Sequence, residues 1–469
     1  MTSLAEFYRA LDDARERMFT TVERVPLDAL AGWSADPATG TIRHHRGGFF
    51  TVEGVRVDRP GHPVHHWSQP IINQPEIGIL GILVKEFDGV PHYLMQLKAE
   101  PGNCDGIQVS PTVQATRSNY LRVHGGNPVP YLEYFREPSR HRVVADVRQS
   151  EQGAWFLRKR NRNMVVEVQG EVELLHGFLW LTLPQLHRLL AQDDLVNMDT
   201  RSVLACLPLI ATEPEPEPEH ERDRDPDRDR DRDEFTMALL RSCRPGSPTR
   251  HSEHNLLSWI TDTRVRTDLS VSGVPLTGLP GWRRVEGRIS HDSGRFFDVI
   301  GVQVTAAGRE VARWDQPMIA PYGMGVVGLL VTRIDGVLHA LVQLRAEVGY
   351  VDAVELAPTL QCVPENYDVL PPAARPPLLD EVLGAPASAI RFDTVQSEEG
   401  GRFYHARTRH LIVETPYRPE LAEHPDFRWV TPHQLSGLLR HSHYVSMEAR
   451  SLLACLHSLA TVPSPAGVR

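Results

Sequence analysis

The chain has 469 residues, 41% of them hydrophobic, and a formal net charge of −10. That length suffices for two or three domains with cores of their own, and no apolar run is long enough for a membrane-spanning helix. Glu213 to Glu234 holds five arginines and twelve acids, a net of −7, which leaves −3 for the remainder. No basic patch able to track a phosphate backbone stands out, so nucleic acid is a poor partner.

At the N-terminus, "MTSLAEFYRALDDARERMF" lacks the basic-then-apolar pattern of a signal peptide and reads as a short amphipathic helix. Five cysteines (Cys104, Cys206, Cys243, Cys362 and Cys455) are scattered, with no CxxC spacing. Free thiols in a reducing, cytoplasmic setting are expected. "IGILGILVKEFDGVPHYLMQLKA" gives an apolar strand, a turn at Asp88-Gly89 and an alternating strand, a strong hairpin signal. A polar, glycine-containing loop comes next, "QLKAEPGNCDGIQVSPTVQATRSNY" from Gln96, and then His124-Gly125-Gly126. "VRQSEQGAWFLRKRNRNMVVEV" precedes "FLWLTLPQLHRLL", a helix opened by a Thr cap with Pro in its first turn. "DTRSVLACL" has helical spacing and closes the unit.

Residues 213–234 are rich in proline and charge and nearly free of apolar side chains. They cannot bury enough surface to offset ordering entropy, and read as a disordered acidic linker. Beyond them the whole unit returns. The loop from Gln343, "QLRAEVGYVDAVELAPTLQCVPENY", matches the first at eleven positions with an offset of 343 − 96 = 247. Trp67 is answered by Trp314, Trp33 by Trp282, Ser150 by Ser397, and Asp88-Gly89 by Asp335-Gly336. The expected architecture is α+β: two similar domains from an internal duplication, 1–212 and 235–469, each a mixed sheet flanked by helices. Two copies are too few for a solenoid.

Several chemistries are not supported. There is no G-x-G-x-x-G joining strand to helix and no P-loop. The histidine pairs His44-His45 and His65-His66 have no cysteine or carboxylate partner at metal-ligand spacing. Ser150 and Ser397 sit in QSE[QE]G and lack the G-x-S-x-G elbow of a nucleophilic serine. Two readings of the polar loops stay open. Their side chains satisfy turn backbone groups, or they grip a hydroxylated, phosphate-bearing ligand. The second reading rests on uncharged hydrogen-bonding groups beside guanidinium forks: Gln149, Ser150 and Glu151 with Arg158 and Arg160, and Gln396, Ser397 and Glu398 with Arg402, Arg407 and Arg409. Trp67 is either core packing or a platform for a nucleotide base. Pro364-Glu365 replaces Arg117-Ser118 and the second copy has no HGG after it, so the two copies are expected to differ in detail or in activity.

On "QLKAEPGN…SPTVQATRSNY…HGG…PYLEYF" and "QSEQG", the chain resembles the NDP-hexose 2,3-dehydratase family of deoxysugar biosynthesis over nearly its whole length. The resemblance implies Nudix-like halves. The Nudix box is absent from both, so Mg²⁺-dependent pyrophosphate hydrolysis is not expected. It further implies a homodimer acting on dTDP-4-keto-6-deoxy-glucose. A base removes the carbon 3 proton, made acidic by the carbon 4 ketone. The carbon 2 hydroxyl leaves as water, and the enol becomes a 3,4-diketo-2,6-dideoxy sugar. No redox cofactor or metal is required, and a downstream NADPH-dependent 3-ketoreductase is the expected pathway partner. Glu151 and Glu398 are the first candidates for acid/base work, with Tyr120 and His124 next. Candidate substrate contacts are Trp67, Gln114, Thr116, Arg117, Ser118, Asn119, Gln149, Ser150, Gln152, Gly153 and Arg158. Their second-half counterparts are Gln361, Asn366, Tyr367, Gln396, Ser397 and Glu399. A non-catalytic nucleotide-sugar-binding protein is the alternative.

Overall fold

The computed structural model describes residues 2–117, 128–208, 226–307, 311–422 and 424–461. The expected N-terminal helix runs Leu4–Arg17. Ser3 accepts from the Glu6 amide and Glu6 answers at the Ser3 amide, so two otherwise unpaired amides are satisfied. Phe7, Leu11 and Ala14 form its buried stripe.

Each half contributes one seven-stranded mixed sheet. In the first, the order is Arg142–Ser150, Arg160–Glu167, Gly78–Phe87, Val90–Ala99, Phe178–Thr182, with Ile107–Pro111 and Val113–Ala115 pairing on the fourth and third strands respectively. Arg160–Glu167 and Gly78–Phe87 are parallel; the other pairs are antiparallel. The second sheet repeats this order from Ile390–Ser397 to Phe427–Val430. Both expected hairpins are present. Asp88 and Gly89 have φ of 50° and 80°, and Asp335 and Gly336 have 49° and 73°. Both central residues thus lie in the left-handed region that a tight two-residue hairpin turn needs. The Thr-capped helices are Leu183–Leu190 and Pro432–Leu438, each with a reciprocal Thr/Gln capping box, Thr182/Gln185 and Thr431/Gln434.

The two halves are interleaved. Thr20–Val25 pairs with Phe297–Ala306 and completes a five-stranded sheet of the second half. Ser270–Val274 pairs with Thr51–Asp58 and completes the equivalent sheet of the first. The largest hydrophobic cluster spans both repeats, from Leu186 and Val203 to Leu452 and Leu456. It brings the helices Met198–Leu204 and Met447–Ser458 together at the centre.

Part of the stretch expected to be linker is helical. Residues 226–234 form the first part of a helix, Pro226–Ser242, in which Asp231 accepts from Arg333 at 2.8 Å and Arg391 at 2.6 Å. Phe235 and Leu239 are buried. The apolar second half of this helix anchors it, and ion pairs to the second sheet hold the charged half against it. Residues 213–225 lie outside the described residues.

Candidate active site

The loops after the two QSE motifs cross into the opposite repeat. The Gly102 amide donates to the Gly400 carbonyl at 2.7 Å, and the Gly349 amide to the Gly153 carbonyl at 2.7 Å. The approach is close enough to require glycine. A Cβ on Gly102 would lie 1.8 Å from the Phe403 carbonyl oxygen, and one on Gly349 would lie 1.6 Å from that of Phe156. The crossing sets residues of both repeats around each of two cavities.

The first cavity, of about 740 Å³, has a polar floor and an aromatic rim. The floor comes mostly from the first sheet: Lys98, Glu100, Gln114, Thr116, Glu151, Lys159 and Asn161, with Asp199 from the first turn of Met198–Leu204. The second repeat adds Glu399 and Arg402. The rim holds Trp33, His44, Phe49 and Phe50 of the first repeat and Trp314 of the second, with Arg46 and Arg313 exposed at its edge. The Trp33 indole donates to the Asp315 carbonyl at 2.7 Å, which fixes the ring. The Arg402 guanidinium lies 4.2 Å above the Phe50 ring, a cation–π contact.

The floor is buried or half-buried, and burial disfavours the charged form of its ionisable groups. Burial raises the proton affinity of Glu151, opposed by Arg450, Lys159 and a hydrogen bond from Asn161 Nδ2 at 2.6 Å to Oε1. Its Oε2 has no hydrogen-bond partner among the described residues. Burial, then the neighbouring Glu151, push Asp199 well above the usual carboxylate range. Burial and the Glu100 charge push Glu399 up to about 7. Burial pulls the Lys159 ammonium down to about 8, against the attraction of Glu151; its Nζ donates to the Glu76 carbonyl at 2.6 Å. Lys98 donates to Gln114 Oε1 at 3.1 Å and pairs with Glu100 at 3.3 Å. A carboxylate oxygen without a partner, a carboxyl poised near 7 and an amine poised near 8 thus share one cavity, an arrangement suited to proton transfer.

The second cavity, of about 570 Å³, is lined by Arg59, His62, Trp67, Trp282, Arg345, Glu347 and Tyr367 among others. Arg345 and Glu347 take the places of Lys98 and Glu100, at 98 + 247 and 100 + 247. The proton-transfer set is not repeated: Lys159 corresponds to Ala406, Glu399 to Gln152 and Arg402 to Trp155, each at the same offset.

Of the residues singled out from sequence, Gln114, Thr116, Glu151, Glu399 and Arg402 line the first cavity, and Trp67 and Tyr367 the second. Glu398 lines neither and accepts from Gln152 Nε2 at 2.8 Å. Gln149, Ser150, Gln396, Ser397 and Asn366 do framework work. Gln149 donates to the Leu439 carbonyl, Ser150 to Glu355, Gln396 to the Leu190 carbonyl and Ser397 to Asp194, while Asn366 accepts from the Phe296 amide. Gly153 makes room for the Tyr350 ring, which a Cβ would meet at 2.7 Å. Gln361 donates to Glu347. Arg117 and Arg158 are exposed. Ser118, Asn119, Tyr120 and His124 lie outside the described residues. Sequence reading missed Lys98, Glu100, Lys159 and Asp199. Lys98 and Glu100 were visible as a cation–carboxylate pair kept in both repeats. Among the described residues, no group of three or more His, Cys, Asp or Glu side chains is placed to hold a metal ion.

The family model described as NDP-hexose 2,3-dehydratase matches residues 4–207 and 253–456 of the chain. A dTDP-4-dehydro-6-deoxy-alpha-D-glucopyranose 2,3-dehydratase of Amycolatopsis orientalis is 46% identical over 447 residues, 94% of this chain and 88% of the relative. A protein of the same description from Saccharopolyspora spinosa is 47% identical over 463 residues, 98% and 92% of the two chains. One from Streptomyces violaceoruber is 47% identical over 443 residues, 93% of each.

Proposed function

The chain belongs to the NDP-hexose 2,3-dehydratase family, and from that premise we propose that it is a hydro-lyase acting on dTDP-4-dehydro-6-deoxy-glucose in its first cavity. The observation that carries the choice of cavity is the convergence of Glu151, Lys159 and Glu399 there, against the absence of Lys159 and Glu399 equivalents at the matching positions of the second. Glu151 Oε2 takes the carbon 3 proton of the substrate. The Lys159 ammonium stabilises the enolate that forms at the carbon 4 oxygen. The carbon 2–oxygen bond breaks as the carbon 2–carbon 3 double bond forms, and protonated Glu399 supplies the proton that makes the leaving hydroxyl water. The resulting enol takes a proton at carbon 2 and releases the one on its carbon 3 hydroxyl, to give the 3,4-diketone. Asp199, kept protonated by burial, limits the negative charge in the cavity and offers a hydrogen bond. Trp33 and Phe50 provide apolar faces for the base, and Arg46 and Arg313 attract the diphosphate.

The finer features of the fold and setting belong to the same reading. Each seven-stranded sheet with its capped helix is a Nudix-like unit stripped of its metal-binding carboxylates. The protein works as a cytoplasmic homodimer beside an NADPH-dependent 3-ketoreductase that reduces the unstable diketone. No helix among the described residues is long and apolar enough to cross a membrane.

The deciding experiment incubates the purified protein and EDTA with dTDP-4-dehydro-6-deoxy-glucose, NADPH and a 3-ketoreductase. Mass spectrometry should find a dTDP-4-keto-2,6-dideoxy sugar. Unchanged substrate that remains protein-bound would favour a binding protein instead.

A further inference from the structure

Two arginines lie at the centre of the molecule where the repeats meet, with relative exposures of 0% for Arg201 and 1% for Arg450. They are arranged as a crossed pair. Arg201 Nε donates to Ser451 Oγ at 2.5 Å, and Arg450 Nε to Ser202 Oγ at 2.9 Å. Arg201 Nη1 caps the Val196 carbonyl at 2.6 Å, and Arg450 Nη1 the Val445 carbonyl at 2.7 Å. Each then reaches the QSE loop of the opposite repeat: Arg201 Nη2 donates to the Ser397 carbonyl at 2.9 Å, and Arg450 Nη2 to the Ser150 carbonyl at 2.6 Å. A buried guanidinium is costly to desolvate unless its donors are met, and here both are well supplied.

The pair matches in these three bonds, while Arg201 Nη1 also reaches Gln396 Oε1 at 3.4 Å and Arg450 Nη2 also reaches Met447 Sδ at 3.0 Å; it is asymmetric in the glutamates that its carbonyl partners precede. The residue after Ser150 is Glu151, on the floor of the first cavity. The residue after Ser397 is Glu398, which is held by Gln152 and lines neither cavity. We propose that Arg450, supplied by the second repeat, is a positioning residue for the first cavity: it fixes the backbone that carries Glu151 and sets a guanidinium beside the residue. This rests on the assignment of Glu151 as the base. Five charged or titratable groups bear on Glu151. The cations are Lys159 and Arg450, and the carboxyls are Glu398, Asp199 and Glu399. Arg450 is the first-ranking influence that favours the ionised form against burial. Arg201 makes the three matching bonds in the other repeat and serves as the internal control.

The test is the pH dependence of kcat/KM for the full chain, measured with wild type and with Arg450→Gln, Arg450→Lys, Arg201→Gln and Arg201→Lys. A base whose ionised form loses a favourable charge needs a higher pH to ionise. The acid limb should therefore move up by about one pH unit in Arg450→Gln, a tenfold change in proton concentration. It should move by less in Arg450→Lys, and stay in place in both Arg201 variants. Should the glutamine variants not fold, the lysine pair decides alone: an upward shift confined to Arg450→Lys supports the role. A limb that stays in place in the Arg450 variants, or shifts equally in the Arg201 variants, overturns it while leaving the function intact. Wild type that forms no dehydrated product, or Glu151→Gln that turns over normally, removes the underlying reading and this role with it.

Discussion

Glu151 of the first repeat and Glu399 of the second line one cavity, where burial, then the Glu100 charge and after it the Glu151 charge raise the proton affinity of Glu399. The proposed base and acid thus come from different halves of the chain.

Replacing Glu151 by Gln keeps its shape and removes its basicity. We expect kcat to fall by roughly 10²- to 10⁴-fold, the usual range for a positioned acid or base, with dTDP-sugar affinity changed only a few-fold by calorimetry. Glu398→Gln, which alters no cavity wall, should keep most activity. Equal losses in the two variants would contradict the assignment.

The alkaline limb carries two groups. Glu399, pushed up to about 7, must hold its proton to act as the acid, so rate falls as pH rises through that value. Lys159, pulled down to about 8, must be charged to stabilise the enolate, and its loss steepens the fall above that value. In Glu399→Gln the residual activity should keep only the limb near 8. A profile of kcat against pH in both proteins checks this.

Arg46 and Arg313 stand at the mouth, exposed. A contact made equally in ground and transition states affects KM and not kcat. Each Arg→Ala variant should raise KM by about 3- to 10-fold with kcat within about two-fold, and the effect should shrink at high salt. A matching drop in kcat would place these residues nearer the chemistry.

Gly102→Ala and Gly349→Ala force a methyl against a carbonyl oxygen at 1.8 and 1.6 Å, and no rotamer change relieves a backbone clash. Each should cost about 3 kcal/mol or more, lowering Tm by several degrees in a thermal melt. Gly89→Ala, whose Cβ would meet nothing within 4 Å, is a milder control that feels only its positive φ.

The regular elements were legible because their signals are local. Asp-Gly between apolar runs marked both hairpins, and a Thr cap with Pro in the first turn marked both capped helices. The site was only partly legible. Comparing the two copies draws the eye to what they share, and the shared Gln149/Gln396 and Ser150/Ser397 turned out to brace the framework. Lys159 hides among charges in "RKRNRN" and has alanine as its counterpart, so repetition concealed it. The crossing of loops between repeats was invisible too, since it depends on backbone contacts between Gly102 and Gly400 that no periodicity encodes.

The exchanged strands also bear on how the chain is made. Thr20 pairs with Ala306 and Val274 with Gly54, contacts across 306 − 20 = 286 and 274 − 54 = 220 residues. The first repeat cannot complete its small sheet until residue 274 has left the ribosome, and the strand Thr20–Val25 waits longer for its partner. Pairings so distant in sequence are slow to form. In the interval an open β-edge is available to other chains. Protein yield should therefore depend on chaperone supply and on slow synthesis at low temperature, and a nascent chain that stalls between the repeats is a candidate for aggregation rather than for partial function.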